Sequence, residues 1–214
     1  MECLFCGQAQ TGHVYCPNGH YVCDRCHGQD TFTLIRGLLL AAGGTDPVAV
    51  AEGIMQAAPL PMLGCEHAWI AAGALLVAMK NNGVIEVAGE QIDEALDRTR
   101  QQAIGAYCGL TGVCGVAVGV GAAFSVLLGA ACPKDEPTKA VMQVVARVVE
   151  AIAREAGPCC CKNFVRTALT LSREMAKDYL GVGLACAGPV LCVDSHRHPH
   201  GCRKTRCRYY PGAG

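Results

Sequence analysis

Sixteen cysteines in 214 residues are the residues of this sequence most able to do chemistry. Cysteine thiolates ligate metals and act as nucleophiles, but in an oxidising compartment they pair as disulfides. Met1 is followed at once by Glu2 and Cys3, without the basic and apolar segments of a signal peptide. We therefore expect a cytoplasmic protein, in which a cysteine-rich pattern indicates metal binding or catalytic thiols.

The first 30 residues carry the strongest metal-binding pattern. Two Cys-x2-Cys pairs present thiolates from tight turns, and such pairs close tetrahedral zinc sites in segments too short for a core of their own. The ligand-type residues are Cys3, Cys6, Cys16, His20, Cys23 and Cys26. We expect a zinc finger over residues 1–30 with a structural role, because closed four-ligand sites rarely perform chemistry.

The same order resembles the first six ligands of RING-type cross-brace fingers. That resemblance implies a first zinc site made of Cys3, Cys6, Cys23 and Cys26. Cys16 and His20 would begin a second site, which Cys65 and His67 could in principle complete. The other interpretation is a single-zinc ribbon or treble clef, in which Cys16 and His20 are structural or form half of a second site.

A nearly uncharged stretch, Gly109–Cys132, has glycines at helix-like spacing around Cys114. Its length meets the criterion of about 20 apolar residues for a membrane span. Basic and aromatic flanks are missing, so we expect no membrane span but a helix at the centre of a soluble domain. Two faces of small residues would let neighbouring helices approach closely. They are Gly115, Gly119 and Ala123, and Gly121, Ser125 and Gly129.

Composition and pattern predict a mainly α fold. Aromatic residues make up only 5% of the chain and glycine is abundant, which favours closely packed helices over a β-sandwich. The predicted helices are Thr31–Ala42, Thr45–Ala58 with Thr45 as N-cap, Glu66–Lys80, Gly89–Ile104 with Ile92, Leu96 and Ile104 inward, Glu136–Glu155, and a helix from Cys159–Cys161 to Tyr179. We expect a compact helical bundle around the glycine-rich helix at residues 31–190, after the finger and before an irregular cysteine-rich tail at 191–214.

Several cysteines stand at predicted helix starts. Cys65 precedes a helix, where the partial positive charge of unpaired N–H groups lowers a thiol pKa. His67 lies two residues on and could be a ligand or a proton carrier. The adjacent thiols of Cys159–Cys161 cannot all face one way, because neighbours on a helix point about 100° apart. Lys162 and Arg166 nearby would favour thiolate.

Three of these segments resemble the redox-active family named for its C-GCAxxG-C-C motif. They are GCEHAWIAAG at 64–73, GLTGVCGVAVG at 109–119 and Cys159–Cys161, with Glu66 where that family usually has Ala. The resemblance implies a small helical protein whose cysteines hold a metal or cluster. The whole arrangement also resembles an uncharacterised bacterial and archaeal family, some members of which accompany radical-SAM or methyltransferase proteins. GxCG in a glycine-rich helix is similar to iron–sulfur serine dehydratases and cysteine desulfidases, where three cysteines hold a cluster with one iron open to substrate.

The tail adds three further cysteines. Cys192, Cys202 and Cys207 are a ligand set suited to a cluster or zinc, although their spacing matches no common signature. Basic residues with Tyr209 and Tyr210 could touch RNA phosphate and base. A solvated basic tail is commoner, and the formal net charge of zero argues against bulk attraction to nucleic acid or anionic lipid.

Two functions are consistent with these patterns. The first is a cytoplasmic metalloprotein with structural zinc and an iron–sulfur cluster or other Cys-ligated redox centre, built where Cys65, Cys114, one of Cys159, Cys160 and Cys161, and Cys192 converge. It would transfer electrons to a redox, radical-SAM or methyltransferase partner, or act on a small sulfur or hydroxyl substrate, with Cys65 and His67 as catalytic candidates. The second is a non-catalytic zinc adaptor that contacts RNA or a partner enzyme.

Overall fold

The computed structural model of the protein describes residues 1–3, 7–12, 19, 21, 23, 29–155, 157 and 159–212. The predictions made for Cys6, Cys16, His20 and Cys26 lie outside these residues. Within them the chain is mainly helical and compactly packed, which confirms the predicted fold class. The α-helices are α1 Gln29–Ala41, α2 Pro47–Ala57, α3 Glu66–Asn82, α4 Gly89–Gln102, α5 Cys108–Thr111, α6 Gly115–Leu128, α7 Asp135–Arg154 and α8 Cys161–Leu180. Two 3-10 turns follow, Ser195–Arg197 and Lys204–Arg206.

Helices α3 and α6 form the centre of the bundle. The apolar side chains of α3 from Ala68 to Met79 are at most 2% exposed. A helix that is apolar on every side has to be covered on every side. Helices α1, α2, α4, α6 and α8 all pack against α3, while α6 also packs against α4, α7 and α8. The N-terminal ends of these helices are thereby held in fixed relation to one another.

The glycine-rich stretch is not the single helix that its composition predicts. Helix α5 ends at Gly112, whose φ of +76° is left-handed, and α6 begins only after Cys114 and ends at Gly129, with a φ of +61°. Glycine adopts this conformation without the steric cost that other residues incur, and it therefore ends both helices. Cys114 is consequently an N-cap residue instead of the middle of a helix. Within the described part of the chain, no helix combines the length and the apolar character needed to cross a membrane.

The small residues of α6 produce the close approach that was predicted for them. A Cβ placed on Gly119 would lie 2.4 Å from the carbonyl oxygen of Ala68 on α3. On the opposite face, a Cβ on Gly121 would lie 2.5 Å from Cγ2 of Val145 on α7. Helices α3 and α7 thus approach α6 more closely than a side chain at Gly119 or Gly121 would allow.

This contact makes Gly119→Ala an informative substitution. The clash is with main chain that cannot rotate away, so we expect the free energy of unfolding to fall by about 1–3 kcal/mol. Chemical denaturation monitored by circular dichroism measures the change. Gly53→Ala on α2 is the matched control, because no heavy atom lies within 4 Å of its added Cβ. That variant should be neutral or slightly stabilising; equal losses in the two variants would contradict the close packing.

Two details of the predicted helices are wrong. Asp46, not Thr45, caps α2: its Oδ1 accepts from the Val48 N–H at 2.9 Å, and its Oδ2 accepts from the Ala187 N–H at 2.7 Å. Asp46 therefore also fastens the segment that follows α8. Ile104 lies beyond the end of α4 and is 40% exposed, whereas Ile92 and Leu96 are buried as expected.

Candidate metal centre

At the N-terminus the structure brings Cys3 and Cys23 together. Both are buried and pack with Tyr21, and the Cys23 backbone N–H donates to Cys3 Sγ at 3.3 Å. Backbone N–H groups directed at sulfur stabilise thiolate ligands in metal sites. Zinc binding by the finger stays a prediction, since the other four ligand candidates lie outside the described residues.

Three helix starts that carry cysteines lie close together in the helical body. Cys65 caps α3, Cys114 caps α6 and Cys160 caps α8. These three helices pack pairwise, and the Cys161 thiol interacts with the backbone of Gly64, beside Cys65. Because each helix N-terminus carries partial positive charge, this junction favours negative charge on whatever it holds.

Four thiols surround this junction: Cys108, Cys114, Cys159 and Cys161. We call them the body thiols. Burial raises the pKa of Cys114 to about 11, and the nearby Cys108 and Cys159 act in the same direction. Burial also raises the pKa of Cys161 to about 12, with Cys114 and Cys108 adding to it. Cys159 is exposed, and what burial it has, together with the nearby Cys108, raises its pKa. Without a metal, Cys114 and Cys161 are therefore neutral thiols at pH 7, and a bound cation would have to displace their protons.

The expectation that Lys162 and Arg166 would turn the neighbouring cysteines into thiolates is not met. Lys162 pairs with Asp194 at 2.5 Å, and Arg166 pairs with Glu52 at 2.7 Å. Burial outweighs the remaining attraction and raises the pKa of the Cys161 thiol.

A second group of thiols lies on the other side of the start of α8. Cys160, Cys192, Cys202 and Cys207, which we call the tail thiols, line one cavity of about 20 Å³. Burial raises the pKa of Cys160, and Cys192 and Cys207 act in the same direction. The three adjacent cysteines thus divide as their helical geometry requires: Cys160 faces the tail, whereas Cys159 and Cys161 belong with the body thiols.

The predicted centre is accordingly divided in the structure. Cys114 lies among the body thiols, but Cys192 lies among the tail thiols. Cys108 joins the body thiols although the sequence pattern did not single it out as a ligand. Its position in the sequence could have indicated this role. Cys108 lies six residues before Cys114 and begins the short helix that Gly112 ends.

His67 is completely buried at the start of α3. Its Nδ1 lies 3.2 Å from the Gly64 carbonyl oxygen and must carry the proton of that hydrogen bond, whereas Nε2 has no partner among the described residues. Burial lowers its pKa to about 4, so the imidazole is neutral at pH 7. His67 does not line the cavity of the tail thiols. A buried imidazole held in this way is poorly placed to carry protons to and from solvent.

Neither thiol group is already drawn together around an ion. Among the described residues, no three Cys, His, Asp or Glu side chains are close enough to hold a metal. Zinc–sulfur bonds are about 2.3 Å long, so thiol side chains in either group would have to turn inward to bind. The chemistry of the donor sets suits soft cations, because both consist of sulfur.

Comparison with known proteins yields a family without an assigned role. Residues 35–210 match a family described as "Family of unknown function (DUF5714)". The matched range contains both thiol groups and begins after the predicted finger. No curated protein and no solved structure matches the chain.

Proposed function

The chain belongs to this family of unknown function, DUF5714, and we propose that it is a metalloprotein with a cysteine-ligated redox centre. The centre is held by the body thiols together with Cys65. The observation that carries this proposal is the meeting of three helix N-termini, those of α3, α6 and α8, at these cysteines.

Iron–sulfur clusters need three or four thiolates in a largely apolar pocket. The body thiols supply that number from three separate segments, and Cys65 supplies one more. The helix N-termini would stabilise the negative charge of a thiolate-ligated cluster. When bound, such a centre would transfer single electrons or polarise a sulfur or hydroxyl substrate.

The burial of the body thiols is graded from one side of the group to the other. Cys114 is 9% exposed, Cys108 and Cys161 are half-buried, and Cys159 is exposed. A centre held here would be accessible at Cys159 and shielded at Cys114. Access on one side suits electron exchange with a partner protein, or entry of a small substrate, better than a purely structural role.

The second candidate is a zinc-binding adaptor without catalysis. The N–H···S contact between Cys23 and Cys3 favours it. The tail offers less to RNA than its sequence suggests, because Arg197, Arg203 and Arg208 are paired with Asp194 or Glu155. Tyr209 is buried as well. We therefore favour a partner protein over RNA for an adaptor of this kind.

Anaerobic purification followed by metal, sulfide and visible-absorption analysis tests the proposal. We expect iron and inorganic sulfide in coloured protein, and we expect Cys114→Ala to lose both because it removes the most buried body thiol. Cys132→Ala is the matched control, since Cys132 is exposed and belongs to neither thiol group. Colourless protein that contains zinc alone would refute the redox centre, and equal iron loss in both variants would refute its location.

A further inference from the structure

We propose a second metal site, independent of the redox centre: the tail thiols Cys160, Cys192, Cys202 and Cys207 bind one divalent ion of the zinc class. The ion would fasten the C-terminal tail to the start of α8. This site consists only of the N-cap residue of α8 and residues of the tail, so it does not depend on the body thiols or on the N-terminal finger.

The size of the cavity favours a single ion. Four thiols line a space of about 20 Å³, which is close to that of one water-sized atom. Zinc in structural sites takes four ligands in a tetrahedron, commonly four cysteines. An iron–sulfur cluster, with its several iron and sulfide atoms, needs more room than this. The cavity is also shielded, since Cys192 is 7% exposed and Cys207 is 8% exposed.

Hydrogen-bond donors already point at two of the four sulfur atoms. The Lys204 backbone N–H donates to Cys202 Sγ at 3.3 Å, and Nδ2 of Asn163 donates to Cys207 Sγ at 3.3 Å. Arg166 also lines the cavity, and its positive charge acts on Cys192. Donors directed at sulfur stabilise thiolate, the form that a metal requires.

Lys204 is set up for this contact by its backbone. Its φ is +52°, a left-handed backbone conformation that residues other than glycine rarely adopt. The residue lies in the turn between Cys202 and Cys207, and this turn directs its N–H back at the Cys202 sulfur. Cys202 and Cys207 are therefore both held by one preformed loop.

His198 also lines the cavity, but both of its ring nitrogens have other partners. Nδ1 accepts from the His200 N–H at 3.2 Å, and Nε2 lies 2.8 Å from the carbonyl oxygen of Cys159. With Nδ1 as acceptor, Nε2 carries the proton and donates to that carbonyl. His198 is consequently unsuited as a ligand, and the four thiols remain as the donor set.

The charges around the cavity favour an anionic site. One divalent ion with four thiolates carries two negative charges. The ion pairs around the tail thiols contain more cations than carboxylates, and the loop between Cys202 and Cys207 adds Lys204 and Arg206. The cations are Lys162, Arg166, Arg197, Arg203 and Arg208, and the carboxylates are Glu52, Glu155 and Asp194.

The packing of the tail leaves a role for such an ion. Cys192, Cys207 and Tyr209 form a small buried cluster of their own, separate from the main core. The Cys192 N–H donates to the Tyr209 carbonyl oxygen at 2.7 Å, which closes the tail on itself. Three residues bury little apolar surface, and a metal or disulfide commonly supplements a core of this size. We infer that metal binding completes the docking of the tail onto α8.

Thiol alkylation read by mass spectrometry tests the site in the full-length, zinc-loaded protein. We expect the four tail thiols to be protected, and to react together once a chelator removes zinc. Proteolytic cleavage after residue 190 should rise in parallel. The exposed thiols of Cys132 and Cys186 are internal controls that should react in both states. If the tail thiols react equally with and without zinc, the proposal is wrong.

Substitution separates this site from the others. Cobalt(II) is the probe, because a tetrahedral thiolate site gives it strong visible bands. We expect Cys202→Ala to lose one equivalent of bound cobalt per chain, whereas Cys186→Ala loses none. Circular dichroism will show whether the helical body of the variant is folded. Retention of full cobalt binding by Cys202→Ala, or loss of the same equivalent in Cys114→Ala, would overturn a separate site.

Discussion

Arg166→Ala should lower the free energy of unfolding by about 3–5 kcal/mol, the cost of leaving one partner of a buried ion pair alone. The side chain of Arg166 is 2% exposed, and that of Glu52 is 14% exposed. Nε and Nη2 of the guanidinium donate to the two carboxylate oxygens at 2.7 and 2.9 Å. The guanidinium also lies over the Tyr209 ring, 5.4 Å from its centre. Its removal would therefore weaken the docking of the tail as well. Urea denaturation measures the loss.

Arg36 provides a matched control for this experiment. It makes the same two-bond contact with Asp93, at 2.6 and 2.7 Å, but on the surface. Water and salt screen such a pair, so Arg36→Ala should have a far smaller effect. The double variant Arg166→Met with Glu52→Leu should recover most of the stability, because no charge is then left buried and unpaired. If Arg36→Ala and Arg166→Ala lower the free energy of unfolding by similar amounts, burial does not make the Arg166–Glu52 pair more important for stability than a surface pair.

Acidification should destabilise the protein through His67. Its pKa falls from 6.5 to about 4 on folding because burial disfavours the charged imidazole. The unfolded chain therefore binds a proton that the folded chain does not, at every pH between these two values. The contribution of neutral His67 to the free energy of unfolding is fully present above pH 6.5. It is lost as the pH falls toward 4, by about 3 kcal/mol in all.

The free energy of unfolding, measured at intervals from pH 7.5 to 4, tests this expectation. His67→Gln should be less stable at neutral pH, because it disturbs a packed site, but its stability should fall less steeply with acid. His200→Gln is the control, since His200 is exposed and its replacement disturbs no packed site. The salt-bridged Asp194, whose pKa is lowered, adds the same acid dependence to all three proteins. A slope in His67→Gln as steep as that of the parent protein would contradict the assignment.

The sequence predicts the helices well where the pattern is local. Periodic apolar residues and the Gly83 end of α3 define helices without knowledge of the fold. The close contacts of Gly119 and Gly121 were likewise predictable from spacing. The break at Gly112–Cys114 was missed, because in such an apolar stretch glycine is equally compatible with a packed helix and with a helix end.

The grouping of the thiols depends on tertiary structure and could not be read from spacing. Cys159, Cys160 and Cys161 are adjacent in sequence, yet Cys160 lies with the tail thiols while its neighbours lie with the body thiols. The split follows from where the tail returns along α8, which is fixed by contacts such as that between Asn163 and Cys207. The effect of burial on the thiols could not be predicted from the sequence either. The adjacent cations predicted lowered thiol pKa values, but desolvation raises the pKa of Cys160 and of Cys161.

The all-round burial of α3 also has a consequence for how its rotation about its own axis is determined. A helix with one polar side is oriented by water, but α3 offers water almost no preferred side along Ala68–Met79. Its angular setting has to come from shape: Leu39 occupies the space that a Gly73 side chain would need, and the Ala68 carbonyl fits against Gly119. These two contacts fix the rotation of α3 about its axis. A slip of one residue in either would turn the helix by about 100° and carry Cys65 and His67 away from their present positions.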